Sequence, residues 1–198
     1  VLLIGALTVV TLLVVLVTSV VRLLAGPDED AVAAPVVPDA PVCEPTATQS
    51  QNCWPVIDAG DDPLLAPSPW ITGRILAGDV QTVLDHVAAR YDATVEPVDP
   101  DSSWGWANRS VRGEGDDQIS NHASGTSIDL NAVEHPLGES GTYTDAQVEA
   151  IHAILAEVSP VVSWGGDFDG RKDEMHFEIV GDAAAVAEVA ARLRAAGG

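Results

Sequence analysis

The chain has 198 residues, with 9 Lys+Arg against 30 Asp+Glu and a formal net charge of −21. So few cations exclude a reader of nucleic-acid backbones, whose affinity rests on Lys and Arg neutralising phosphates. Of the 46% hydrophobic residues a large share sits at the N-terminus, and what remains suffices for one compact domain, not two.

Val1 to Val21 carries no charged residue and is dominated by Leu, Val and Ile. At 1.5 Å per residue it would span roughly 31 Å, the thickness of a hydrocarbon core, so residues 1–24 are expected to form one transmembrane helix. A cleaved signal peptide is the alternative, with Ala31-Val32-Ala33 as a small-residue cleavage site. Arg22 on the C-terminal side is a weak counter-signal to an external domain. Residues 25–70 are rich in Pro, Ala and acidic residues without a sustained period, and are expected as an extended linker. The linker holds the two cysteines, Cys43 and Cys53. A bridge between them would stabilise by about 2.8 kcal/mol and suits an oxidising compartment; two idle thiols are the other reading. No CxxC spacing or neighbouring His makes the pair a zinc site.

Residues 71–198 are expected to form the domain. Helical spacing runs from Ile75 to Arg90, through Val80, Val83, Leu84 and Val87. A second helix is expected from Thr144, as N-cap, to Val158, and an alanine-rich third from Asp182 to Ala196, stopping at Gly197. Strand candidates are Ala93–Val98, Ala107–Arg112, Thr126–Ala132, Val161–Trp164 and Met175–Val180. Strands and helices that do not alternate strictly predict an α+β class with a small antiparallel sheet flanked by helices. No glycine-rich nucleotide fingerprint is present.

Two blocks carry the chemistry. In SNHASGTSIDLNA, residues 120–132, strand alternation turns Ile128 and Leu130 inward and sets Asp129 on the other face. His122 precedes it across Ser124-Gly125, where a glycine lets the backbone turn back over the strand. In SWGGDFDGRKDEMHFEIV, residues 163–180, Phe177 and Ile179 alternate with His176 and Glu178. If the two strands pair with polar faces aligned, His122, Asp129 and His176 converge as a zinc set with one open position, which suits catalysis with one Zn²⁺. Asp173, in the loop before His176, would exchange protons with an attacking water and a leaving amine, with Glu174 as its competitor. Taken singly, each of these residues also reads as solvated surface or a satisfied polar contact. His86, His135 and His152 read as structural or exposed. Arg109, Arg112, Arg171 and Lys172 cluster beside the two blocks, which suggests an anionic ligand; pairing with Glu114, Asp116, Asp117 and Asp173 is the alternative.

Together the blocks resemble the M15 family of zinc peptidases, the D-alanyl-D-alanine carboxypeptidase and L-alanyl-D-glutamate endopeptidase group. The pattern SxHxxGxxxD is met by Ser120, His122, Gly125 and Asp129. W-G-G-D followed by DxxHFE is met by Trp164 to Asp167 and by Asp173, His176, Phe177 and Glu178. The resemblance, over residues 72–180, implies His122, Asp129 and His176 as zinc ligands, Asp173 as catalytic base and an upstream arginine on the scissile carbonyl. Arg109 fits that last role best, with Arg112 as competitor, while Ser120, Trp164 and Glu178 fall at substrate or supporting positions. It also implies the fold shared with the Hedgehog signalling domain, in which a zinc site need not hydrolyse anything. Phe168 and Ser124 depart from the Trp and the aromatic residue common there, which predicts a more open pocket wall.

The expectation is thus a zinc peptidase cutting peptidoglycan stem peptides, held in the cytoplasmic membrane by a single N-terminal helix with its domain outside. A non-catalytic zinc module that binds wall peptides is the rival reading, and a peptidase that works only when presented by a partner is a third.

Overall fold

The computed structural model describes residues 43–112 and 118–197. Its elements in chain order are β1 (Leu65–Pro67), β2 (Arg74–Leu76), α1 (Asp79–Thr94), β3 (Ser127–Asp129), α2 (Asp145–Val158), β4 (Val162–Trp164), β5 (His176–Ile179) and α3 (Ala183–Ala196). β1 and β2 form an antiparallel ribbon, and a second antiparallel sheet has the order β3-β5-β4. This is the expected α+β arrangement, a small antiparallel sheet flanked by helices.

The sheet separates core from site by its pleat. Register sets Ile128 opposite Phe177 and Phe177 opposite Trp164, and these three are buried on one face. Residues one step along point the other way, so Asp129 opposite His176 and Ser127 opposite Glu178 share the second face. Helix α1 buries Val80, Val83, Leu84, Val87 and Tyr91, the stripe its spacing dictates, and packs against both α2 and α3. Helix α2 begins with a capping box between Thr144 and Gln147, and α3 begins with Asp182 accepting from the Ala185 amide at 2.9 Å.

Several boundaries differ from expectation. Ile75 belongs to β2, because Gly78, at φ 87°, separates that strand from the helix. Ala93–Val98 is not a strand: α1 runs on to Thr94, and the Val98 amide donates to Asp92 of the same helix at 2.9 Å. Ala107–Arg112 contributes one isolated bridge, Ser110 to Ile119.

The expected membrane anchor is corrected. Among the described residues no helix is long and apolar enough to cross a membrane. Residues 1–24, on which the transmembrane helix, the membrane as partner and the single-pass localisation all rested, lie outside the described residues.

The expected linker is, from Cys43 onward, tied to the domain. Cys43 and Cys53 form a disulfide. Ser50 is fully buried, Ile57 and Leu65 are also buried, and the Ile57 amide donates to the Ala123 carbonyl at 2.9 Å. Composition suggested a solvated chain, yet its few apolar and small polar side chains find partners on the domain surface.

Candidate metal centre

His122 sits in a tight helical turn, Asn121–Ser124. The Ser120 hydroxyl caps the turn by accepting from the His122 amide at 3.3 Å. Gly125, at φ 68°, reverses the chain into β3, and a Cβ there would strike the Leu65 side chain and the Leu76 amide. Asp129 ends β3 and His176 opens the antiparallel β5 directly opposite it. Three side chains from two sequence blocks thereby meet. His122 Nε2 lies 3.1 Å from Asp129 Oδ1 and 3.3 Å from His176 Nδ1, and His176 Nδ1 lies 2.8 Å from Asp129 Oδ1.

Each of the three is held from behind. His122 Nδ1 donates to the Gly105 carbonyl at 2.6 Å, which leaves Nε2 as a lone pair facing the centre. His176 Nε2 faces Glu178 Oε2 at 3.2 Å, so its Nδ1 likewise turns inward as an acceptor. Trp104 Nε1 donates to Asp129 Oδ2 at 2.8 Å, leaving Oδ1 for the centre. Three inward acceptors at such separations repel one another unless a cation or a proton lies between them. The fit to a metal ion is therefore good: two neutral imidazoles and one carboxylate, oriented by outer hydrogen bonds, are a donor set of zinc type.

The titration of the group agrees. Burial would lower the His176 pKa, but hydrogen bonds to Asp129 and Glu178 outweigh it and push it up to about 10. Burial alone would raise Asp129, yet the two imidazoles hold it well below the usual carboxylate range. Without a cation the cluster retains a proton, which a metal ion would displace.

The centre opens on a cleft of about 820 Å³ lined by Arg109, Phe168, Asp173, His176 and the disulfide loop. Asp173 Oδ1 is buried there without a hydrogen-bond partner among the described residues, and burial raises the pKa of its carboxyl. Glu174 is taken up elsewhere: it accepts from the Gly141 amide at 2.7 Å, the Thr142 amide at 2.9 Å and the Thr142 hydroxyl. Trp164, buried in the core, donates to the Glu174 carbonyl at 2.7 Å and so pins the backbone beside Asp173.

Arg109 is half-buried in the cleft and makes no ion pair among the described residues. Burial lowers its pKa, while the fields of Asp129 and Asp173 act in the opposite sense. Arg171 donates to the Arg112 carbonyl, and Lys172 to the Phe168 carbonyl at 2.6 Å. Both thus bind backbone rather than Asp173; Glu114, Asp116 and Asp117 lie outside the described residues. His86 pairs with Glu157 and His152 with Asp167, while His135 is buried between Glu96 and Thr142. Ser124 does not widen the cleft: it is fully buried, its hydroxyl 2.8 Å from that of Ser50.

Trp104, Gly105 and Asn121 escaped the sequence reading. Asn121 stands beside His122 in the quoted block, and its Nδ2 donates to Glu178 Oε2 at 2.6 Å. The nearest thing to a signal for the other two is a glycine between two tryptophans, Trp104 and Trp106.

Comparison with known proteins gives one family match. Residues 114–179 fit the M15 peptidase model described as D-alanyl-D-alanine carboxypeptidase, a stretch short of half the chain. No curated protein and no solved structure matches. The segment that supplies all three inward ligands is thus similar to the M15 peptidase family, and its His122, Asp129 and His176 form a cluster of metal-binding type.

Proposed function

We propose that the chain is a zinc-dependent peptidase that hydrolyses peptidoglycan stem peptides, as a D-alanyl-D-alanine carboxypeptidase or an L-alanyl-D-glutamate endopeptidase. One observation carries the reading: a triad of inward lone pairs shares a cleft with a buried carboxylate oxygen, Asp173 Oδ1, that finds no donor among the described residues. In that position the carboxylate oxygen is free to accept the proton of an attacking water.

His122, Asp129 and His176 would hold one Zn²⁺, whose Lewis acidity lowers the pKa of a water and draws charge from a carbonyl oxygen. Asp173 takes the proton of the attacking water and returns it to the departing amine. Its burial favours the protonated form, which suits a group that must hold that proton between the two steps. Arg109 donates to the scissile carbonyl oxygen as negative charge develops there. Ser120 caps the turn that carries His122, Glu178 holds the His176 imidazole, and Trp164 holds the loop that carries Asp173. In a chain of net charge −21, a cleft lined by Arg109, Arg112 and Arg171 suits the carboxylates of a stem peptide.

The test is the purified chain, loaded with zinc, on a muropeptide pentapeptide, with mass spectrometry of the products and Asp173→Ala alongside. Loss of a terminal D-Ala identifies the carboxypeptidase and cleavage after L-Ala the endopeptidase. No product from a chain with one zinc bound sinks hydrolysis in favour of a wall-peptide binding module.

A further inference from the structure

The disulfide-closed loop, Cys43–Cys53, lies outside the segment matched by the family model and has no part in the reading above. It touches the domain at two places, and each adjoins a ligand of the metal centre. On one side Gln51 donates its amide to the Ile119 carbonyl at 3.0 Å, and the Ser50 hydroxyl meets that of Ser124. These contacts grip the turn that carries His122. On the other side Asn52 Nδ2 donates to the Ile179 carbonyl at 2.8 Å and to Thr126 Oγ1 at 2.7 Å, beside the strand that carries His176.

Between these two anchors runs one line of hydrogen bonds. The backbone N–H of Asn52, placed by those side-chain bonds, donates to Asn121 Oδ1 at 2.9 Å. That bond decides which end of the Asn121 amide faces the sheet, so Nδ2 donates to Glu178 Oε2 at 2.6 Å. The same Glu178 oxygen faces His176 Nε2 at 3.2 Å. Turned the other way, Asn121 would set a carbonyl oxygen against the Glu178 carboxylate, and the support behind His176 would be lost. Ser124 makes this possible, because a larger side chain under Ser50 would lift the loop away.

We propose that Asn52 is a positioning residue of the metal centre: held by the disulfide loop, it orients Asn121, which fixes Glu178 and through it His176. The inference rests on the metal-centre reading and assigns the N-terminal loop a share of its metal affinity.

The experiment measures the Zn²⁺ dissociation constant of the full chain by competition with a chromophoric chelator, with the melting temperature of the metal-free chain recorded for every variant. Asn121→Ala is expected to weaken zinc binding roughly 10- to 100-fold and Asn52→Ala roughly 10-fold, the range found for groups that orient metal ligands. Asn52→Ala keeps the backbone N–H but removes the side-chain bonds to Ile179 and Thr126 that place it, so its effect passes through Asn121 and the double variant should bind no more weakly than Asn121→Ala alone. A loop that merely stabilises the fold would lower the melting temperature of Asn52→Ala and leave its zinc affinity unchanged, which overturns the proposal, as do additive losses in the double variant. Should Asn52→Ala not fold, the variant Cys43→Ser/Cys53→Ser frees the loop ends while keeping its hydrogen-bonding groups, and unchanged affinity there is equally fatal. If the unaltered chain binds no zinc, the metal-centre reading itself falls; if it binds zinc and the variants match it, the positioning role alone falls.

Discussion

Asp173→Ala separates stability from chemistry in a single substitution. Aspartate and alanine share their Cβ, so the change removes a carboxyl group and no methylene. Asp173 Oδ1 is buried and unpartnered among the described residues, and such an acceptor costs about 1–3 kcal/mol. Because Asp173 as a residue is only half-buried, the lower end applies, and the metal-free variant should gain about 1 kcal/mol. For a chain of this size that corresponds to a melting temperature higher by roughly 2–4 °C. The sign with pH follows from the direction of the shift. Burial, helped by the charge of Asp129, pushes the folded-state pKa up by more than the imidazoles of His176 and His122 and the guanidinium of Arg109 pull it down. The unaltered chain is therefore free of the penalty at pH values below the ordinary carboxylate range and acquires it as pH rises through the raised folded value. The variant's advantage should be full at neutral pH and vanish in acid. Hydrolysis should meanwhile fall by about 10²–10⁴, the loss expected of a missing acid–base group. Calorimetry of both proteins across pH and product release at saturating zinc are the assays. A variant that melts lower at neutral pH, an advantage that persists in acid, or turnover within tenfold of the parent would refute the reasoning.

Trp104→Phe keeps an aromatic side chain, smaller than the indole, and removes the donor to Asp129 Oδ2, so zinc affinity should weaken roughly 10- to 100-fold in chelator competition; an unaltered affinity means that Asp129 needs no such support. Gly105→Ala drives a Cβ into the Arg74 carbonyl and to within 2.8 Å of Ile71 and 2.9 Å of Ile75. A loss of about 1–3 kcal/mol in denaturant unfolding is expected, and an unshifted midpoint contradicts the packing. Glu96→Gln acts on a carboxylate that burial would raise, but that hydrogen bonds from Asn131, His135 and Tyr91 hold below its ordinary pKa. Its stabilisation is present above the ordinary carboxylate range and is lost as pH falls through the depressed folded value, so melting curves of parent and variant should differ at neutral pH and converge in acid.

How far the sequence could be read depends on what each residue has to satisfy. The helical stripes were legible because burial imposes their spacing; Val80, Val83, Leu84 and Val87 lie together whatever covers them. The alternation around Asp129 and His176 was legible for the same reason, since Ile128 and Phe177 had to turn inward. What marked off the start of α1 was a glycine at positive φ, and apolar periodicity ran straight through it. The loop at 43–67 was opaque because its hold on the domain rests on Ser50, Asn52 and backbone groups, which in sequence look like any polar linker.

The same distinction runs through the metal centre. An inward ligand has to be one of a few side-chain types, so His122, Asp129 and His176 stand out by chemistry in a chain with five histidines. The groups behind them have no such restriction. A backbone carbonyl serves His122 at Gly105, an indole serves Asp129 at Trp104, and a carboxylate serves His176 at Glu178. Any acceptor or donor in the right place would do, so position rather than identity carries the function, and position is set by tertiary contacts distant in sequence. Asn52, separated from Asn121 by 69 positions, is the extreme case. If the loop does set His176 as proposed, zinc affinity in this chain depends on a segment that no ligand motif could identify, and the Asn52→Ala titration decides that directly.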